Sequence, residues 1–238
     1  MNVLSIDWDY FFPDSLNYDW GANEESFLMY EFIWSIRYNA INLISKEVAH
    51  ESYVVNNERL KEFKKQKWKA KKSVIVDSHK DIFSVLDKDS IVWNFDAHHD
   101  AGYHKKEVLD CGNWVERGRV KGVIKEYNLV YPPWRKKGKE PKPICRLDKT
   151  YYVPPTIPIS FDLVFLCRSS CWTPPWADAA FLAFSMWIQQ RSKEHFGADY
   201  VFKIRGLNNG LINQLEEQWK GAEALELIER NKSFSVVT

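Results

Sequence analysis

Asp7 and Asp9, two residues apart, follow the short apolar run at residues 3–6. Asp96, His98 and Asp100 repeat that spacing after a second apolar run, residues 91–95, and His79 follows a third, residues 73–76. In an extended backbone, residues two apart point to the same side, so each group would offer its side chains together. Four carboxylates and two imidazoles make a hard oxygen–nitrogen donor set. Such a set suits Mn²⁺ better than it suits structural zinc, which favours thiolates. Six donors exceed the need of one catalytic zinc, whereas two cations sharing bridging carboxylates would use them all. Singly, each residue has an ordinary use: a strand-end carboxylate caps a helix or pins a turn, and a histidine makes a hydrogen bond. That explanation weakens for the set, because His79, His98, His99 and His104 are four of only six histidines and fall within 26 residues.

The elements that must position these side chains alternate in type. Apolar runs at 3–6, 73–76, 91–95, 123–131, 151–153 and 163–167 read as strands, most of them uninterrupted and therefore buried on both faces. Between them, residues 24–50 carry an amphipathic helical pattern, with Tyr30, Ile33, Trp34, Ile41, Ile44 and Val48 on or near one face. The lysine-rich stretch 58–72 reads as a solvated helix, and a helical segment follows His79 through Leu86. Residues 177–195, entered through Pro175, read as another helix, and residues 212–230 as a closing one after a turn at 206–210. This alternation predicts an α/β fold of three layers, α/β/α, around a mostly parallel sheet in a single domain over residues 1–238. In such sheets ligands bind beyond the carboxyl ends of the strands, where three of the runs place their donors.

Composition bounds the function classes. The chain has 238 residues, 45% hydrophobic and 27% charged, which excludes disordered and collagen-like chains. Thirty-three basic against 32 acidic residues leave a net charge of +1, so no bulk field favours nucleic acid or an anionic membrane. The aromatic share, 15%, fits either a binding surface or a tryptophan-rich core. Cys111, Cys145, Cys167 and Cys171 form no C-x-x-C pair and read as reduced thiols. With an acidic start in place of a signal peptide and no long apolar span, the expected compartment is the cytoplasm.

The stretch from Asp96 to Asp100 resembles the D-A-H-x-D motif of the arginase and ureohydrolase superfamily. Arginases combine it with an upstream histidine, which His79 resembles, and a downstream S-x-D-x-D strand. Ser160-Phe161-Asp162 stands in the arginase-like order but lacks the second aspartate, whereas Ser5 to Asp9 has both aspartates at the start of the chain. The N-terminal copy is chosen, which implies an arginase-like fold with circularly permuted motif order. Residues 5–11, 76–79, 94–100, 112–114 and 167–170 together resemble an arginase-like family whose bacterial members include peptide arginases. These enzymes convert arginine side chains of ribosomally made precursor peptides into ornithine. The resemblance implies two Mn²⁺, one held by His79, Asp96, Asp100 and Asp7, the other by His98, Asp96, Asp7 and Asp9. It implies a shared hydroxide that attacks the guanidinium carbon, with Asp100 passing a proton to the departing amine. It implies a precursor peptide as partner, and is silent on oligomeric state.

The chain also departs from that pattern. Gly112-Asn113 resembles the pair that precedes the arginases' proton-shuttle histidine, but Trp114 follows. His99 or His104 could substitute. No carboxylate stands where arginases grip the guanidinium; Arg168 occupies the comparable stretch and could bind a peptide carboxylate or backbone oxygen, or buttress a loop. Trp172, Pro174, Pro175 and Trp176 could form an apolar rim for a peptide, and Asn113 could reach it. Arg135, Lys136, Lys137, Lys139 and Lys142 form a basic loop that reads first as solvated surface, second as a holder of an acidic leader. The competing readings are a small-molecule ureohydrolase or deacetylase, and a catalytically silent peptide-binding module.

Overall fold

A computed structural model describes residues 1–13, 30–43, 48–103, 108–136, 140–197 and 199–219. Seven strands run β1 (Asn2–Asp7), β2 (Lys69–Val76), β3 (Ser90–Phe95), β4 (Ile124–Val130), β5 (Lys149–Tyr151), β6 (Ser160–Cys167) and β7 (Ser192–Gly197). They form one sheet in the order β5-β4-β3-β1-β6-β2-β7, with every neighbouring pair parallel. Among the described residues six α-helices accompany them: α1 (Tyr30–Leu43), α2 (Ala49–Ser52), α3 (Asn57–Lys64), α4 (Trp114–Val120), α5 (Asp178–Gln189) and α6 (Asn209–Trp219).

The sheet separates two cores. Leu4, Ile6, Ile75, Val164 and Leu166 meet Trp34 of α1, Phe63 of α3 and Phe181, Phe184 and Ile188 of α5 on one face. Val3, Val92, Leu129, Leu163 and Phe165 meet Trp114 and Val115 of α4 and Ile82 on the other. The fold is thus a three-layer α/β/α arrangement. Much of the aromatic excess lies in the first core, where Trp8, Phe11, Phe63 and Phe184 pack at centroid distances of 5.2–5.8 Å.

Several elements differ from the sequence reading. The lysine-rich helix ends at Lys64, and the next strand starts at Lys69, where exposed Lys69 and Lys71 alternate with buried Ala70 along a strand whose first residues face solvent on one side. The helical segment after His79 is a 3-10 turn, His79–Ser84, and ends short of Leu86. The 24–50 helix is described only from Tyr30; it does not continue to His50, since Val48 is extended and 54% exposed and a new short helix starts at Ala49. Helix α5 stops at Gln189, and residues 192–197 form the edge strand β7, whose polar, exposed face lacks any apolar run. The fifth strand is shifted, to Lys149–Tyr151. Of the closing helix only Asn209–Trp219 falls within the described residues. None of the four cysteines is in a disulfide. Among the described residues no helix is long and apolar enough to cross a membrane.

Candidate metal centre

The carboxyl ends of β3, β1, β6 and β2 lie side by side, and the donors collect there. Asp7 is the last residue of β1, paired with Cys167 of β6. Ser5 and Asp7 share the face of β1 that looks toward α4. Asp9 departs from the expected extended run: it lies in a 3-10 turn, Trp8–Phe11, capped by Asp7. Asp7 Oδ1 accepts from the Asp9 amide at 2.9 Å, and Asp9 Oδ1 accepts from the Ala97 amide at 3.1 Å. The turn therefore brings Asp9 to the β3 end, which simple strand alternation does not.

Beyond β3 the chain turns sharply. Asp96 Oδ1 accepts from the His98 amide at 2.7 Å, and Oδ2 accepts from Asn94 Nδ2 at 2.9 Å. Asp100 adopts a left-handed φ of 51°, which returns its side chain to the sheet end. There Trp114 Nε1, at the first position of α4, donates to Asp100 Oδ2 at 2.7 Å. The tryptophan at the expected shuttle position thus orients one of the cluster's carboxylates.

Two groups result. His79 Nδ1 lies 3.2 Å from Asp7 Oδ2, 3.1 Å from Asp96 Oδ2 and 3.1 Å from Asp100 Oδ2. Its Nε2 is 2.8 Å from Ser5 Oγ, and its ring lies between Trp114 and Phe165, at centroid distances of 4.9 and 5.8 Å. His98 Nδ1 lies 2.8 Å from Asp9 Oδ2 and 3.8 Å from Asp96 Oδ1. Asp96 belongs to both groups.

The electrostatics are those of crowded acids. Burial, with the charges of Asp9 and Asp96, holds the Asp7 carboxyl well above its usual range. Burial, Asp100 and Asp9 push Asp96 up to about 8. Burial opposes a charged His98 ring, but the adjacent Asp9 carboxylate prevails and raises it to about 10. His79 is raised in the same way against burial by Asp100, Asp7 and Asp96. Burial alone would raise Asp9 too; His98 overrides it and Asp9 ends below its ordinary value.

The donor set fits divalent cations. One imidazole N–H cannot serve three carboxylates at once, whereas one cation at their focus can. Although Asp9 Oδ2 lies within hydrogen-bond distance of His98 Nδ1, the ring N–H does not point along that line, and the oxygen has no aligned donor among the described residues. Close but unaligned donor atoms are what two ligands of one ion present. Ser5 and Asn94 hold the ligands from behind, as outer partners of metal sites do.

The remaining expected site residues divide. Trp172 stands at the cluster, its ring 5.2 Å from that of His98. Trp176 does not: its indole donates to the Tyr53 carbonyl and packs against Trp34 and His50. Arg168 is a buttress, 2% exposed, with Nε donating to Asp77 Oδ1 at 2.7 Å and Nη1 to the Lys203 carbonyl at 2.9 Å. Asn113 is likewise committed, accepting from the Asp110 amide and donating to the Val108 carbonyl, both at 2.8 Å. His99 is engaged on both ring nitrogens: Nδ1 accepts from the Ala101 amide at 2.9 Å, which leaves the proton on Nε2, 3.0 Å from the Pro141 carbonyl. His104 lies outside the described residues, as do Lys137 and Lys139. Asp162, from the alternative motif, sits at the opposite end of β6, paired with Lys71 at 2.7 Å and with the Asn2 amide at 2.8 Å.

Ser5, Asn94 and Trp114 contact the cluster in ways that the sequence reading missed. For Ser5 and Asn94 a signal was present, a polar residue inside an apolar strand two positions before an aspartate of the cluster. Compared with family models, with curated proteins and with solved structures, the chain matches none.

Proposed function

We propose that this protein is an arginase-like hydrolase with two Mn²⁺ that converts arginine side chains within a peptide into ornithine, releasing urea. The observation that carries the reading is the sharing of Asp96 between two histidine–carboxylate groups, fed by β1, β2 and β3 at one end of a parallel sheet. The N-terminal Ser5–Asp9 segment supplies the third motif, and the remote Asp162 does not, which supports a permuted order. The peptide substrate rests on the motif resemblance, with Trp172 beside His98 as an apolar wall for it.

His79, Asp7, Asp96 and Asp100 would hold one ion and His98, Asp9, Asp7 and Asp96 the other. When bound, the pair supplies Lewis acidity and makes water ionisable near neutral pH. The chain's own part is positional. Asp100, fixed by Trp114, takes a proton from the attacking water and returns it to Nε of the leaving ornithine. A C–O bond forms at the guanidinium carbon, the bond from that carbon to Nε breaks, and urea departs. Burial of the cluster excludes bulk water from the acids, so their charge acts at close to full strength.

Mass spectrometry of an arginine-containing peptide incubated with manganese-loaded protein, with free arginine in parallel, tests this. A loss of CH2N2 on the peptide alone is the expected result. Conversion of free arginine with equal efficiency would point to an ordinary ureohydrolase. No change on any peptide, with full metal loading, would leave the silent binding module as the better reading.

A further inference from the structure

Arg135 belongs to the basic loop, yet it is only 3% exposed. Its Nε donates to the carbonyl of Ala97, between Asp96 and His98, at 2.6 Å. Its guanidinium carbon sits 4.7 Å from the centroid of Trp134, whose indole is pinned by a bond to the Phe12 carbonyl at 3.1 Å. Both terminal nitrogens, Nη1 and Nη2, are buried and have no hydrogen-bond partner among the described residues. His98 Nε2 is buried in the same condition, one residue from the carbonyl that anchors Arg135. Glu140, on the same loop, is committed elsewhere: it accepts from the Tyr103 and Tyr131 hydroxyls and the His99 amide.

A buried guanidinium with two idle donors is costly to maintain unless an anion completes it. We propose that Arg135 is an anion-binding residue of this site, receiving a carboxylate of the substrate beside the metal cluster. The class of anion follows from the geometry. With Nε engaged, Nη1 and Nη2 remain as a flat pair, matched to the two oxygens of a carboxylate. One buried positive charge balances one carboxylate; a phosphate would bring surplus negative charge next to four acidic side chains. The carboxylate comes from a peptide's chain terminus or from an acidic side chain near the reacting arginine. The proposal rests on the site being one that binds an arginine-containing substrate.

Calorimetric titration of manganese-loaded protein with N-acetylglycine, and separately with N-acetylaspartate α-methylamide, tests it. One probe mimics a chain terminus and the other an acidic side chain, so the tighter of the two names the source. The expected result is one-to-one binding that Arg135→Gln weakens at least tenfold, about what loss of a charge-assisted pair removes. Lys136→Gln, at the exposed neighbouring lysine, is expected to bind as the wild type does. Equal weakening by Lys136→Gln, unchanged binding in Arg135→Gln, or tighter binding of inorganic phosphate than of both carboxylates would overturn the assignment. If Arg135→Gln fails to fold or to load metal, Arg135→Lys decides, because it keeps the charge and loses the fork: unchanged affinity there also overturns it. Turnover is a separate readout. Arg135-dependent binding without hydrolysis would remove the arginase reading alone; hydrolysis without such binding would remove the carboxylate site alone.

Discussion

Replacing Ser5 by alanine removes one oxygen from a fully buried position and leaves every carboxylate and imidazole of the cluster in place. The Ser5 hydroxyl lies 2.8 Å from His79 Nε2. With Nδ1 directed at three carboxylates, the neutral ring that serves a cation carries its proton on Nε2, and Ser5 accepts it. In Ser5→Ala that N–H faces a methyl group in place of the hydroxyl, at a cost of about 1–3 kcal/mol. Without metal the ring can instead place its proton on Nδ1, toward the carboxylates, so the cost falls mainly on the loaded state. The variant should therefore bind Mn²⁺ about five- to 150-fold more weakly at the His79 position. Binding at the His98 position should change far less. Chelator-competition titration reads the two affinities, and thermal melts of the metal-free protein read the fold. Equal loss at both positions, or a metal-free protein destabilised as much as the loaded one, would refute this account of the tautomer.

Asp96→Ala should lose both metals, because both groups use that carboxylate, whereas Asp9→Ala should retain the ion at His79; metal counting by plasma mass spectrometry separates them. Asp162→Ala should keep full metal content and shift stability by no more than about 2 kcal/mol, since it breaks a largely exposed pair with Lys71 and an exposed bond from the Asn2 amide; lost manganese would restore the in-order motif. Asp96 is raised to about 8 and His98 to about 10, so both bind protons more tightly in the folded than in the unfolded chain. Their contribution to metal-free stability is therefore fully present below their unfolded values and is lost as pH rises, for Asp96 through about 8 and for His98 through about 10. Manganese affinity should move the opposite way, rising over the same span with protons released on binding, as parallel melts and titrations at pH 6.5 and 8 would show.

What the sequence made legible was the part of the molecule governed by local pattern. Uninterrupted apolar runs marked the buried centres of β1, β3 and β6, and acids and histidines directly after such runs marked the site. What stayed hidden depended on tertiary context. Strand β7 is an exposed edge whose ladder comes from β2, so no hydrophobic period announces it. Helix α4 has only two turns and is held by the packing of Trp114 between His79 and Tyr127. Arg168, Asn113 and His99 have residue types suited to chemistry, yet each is engaged by a neighbour that no spacing rule reveals. Arg135 was concealed in the opposite way, a buried charge inside a run of lysines that reads as surface.

The position of β1 has a consequence for how the protein is made. This first strand is flanked by β3 and β6, so one of its two ladders waits for residues 160–167. At ordinary rates of synthesis, β1 precedes that partner by on the order of ten seconds or more. During that interval Leu4 and Ile6 have no β6 to cover them on the ribosome. Slow translation before Ser160 should therefore favour aggregation, and no nascent chain ending short of β6 should complete the cluster.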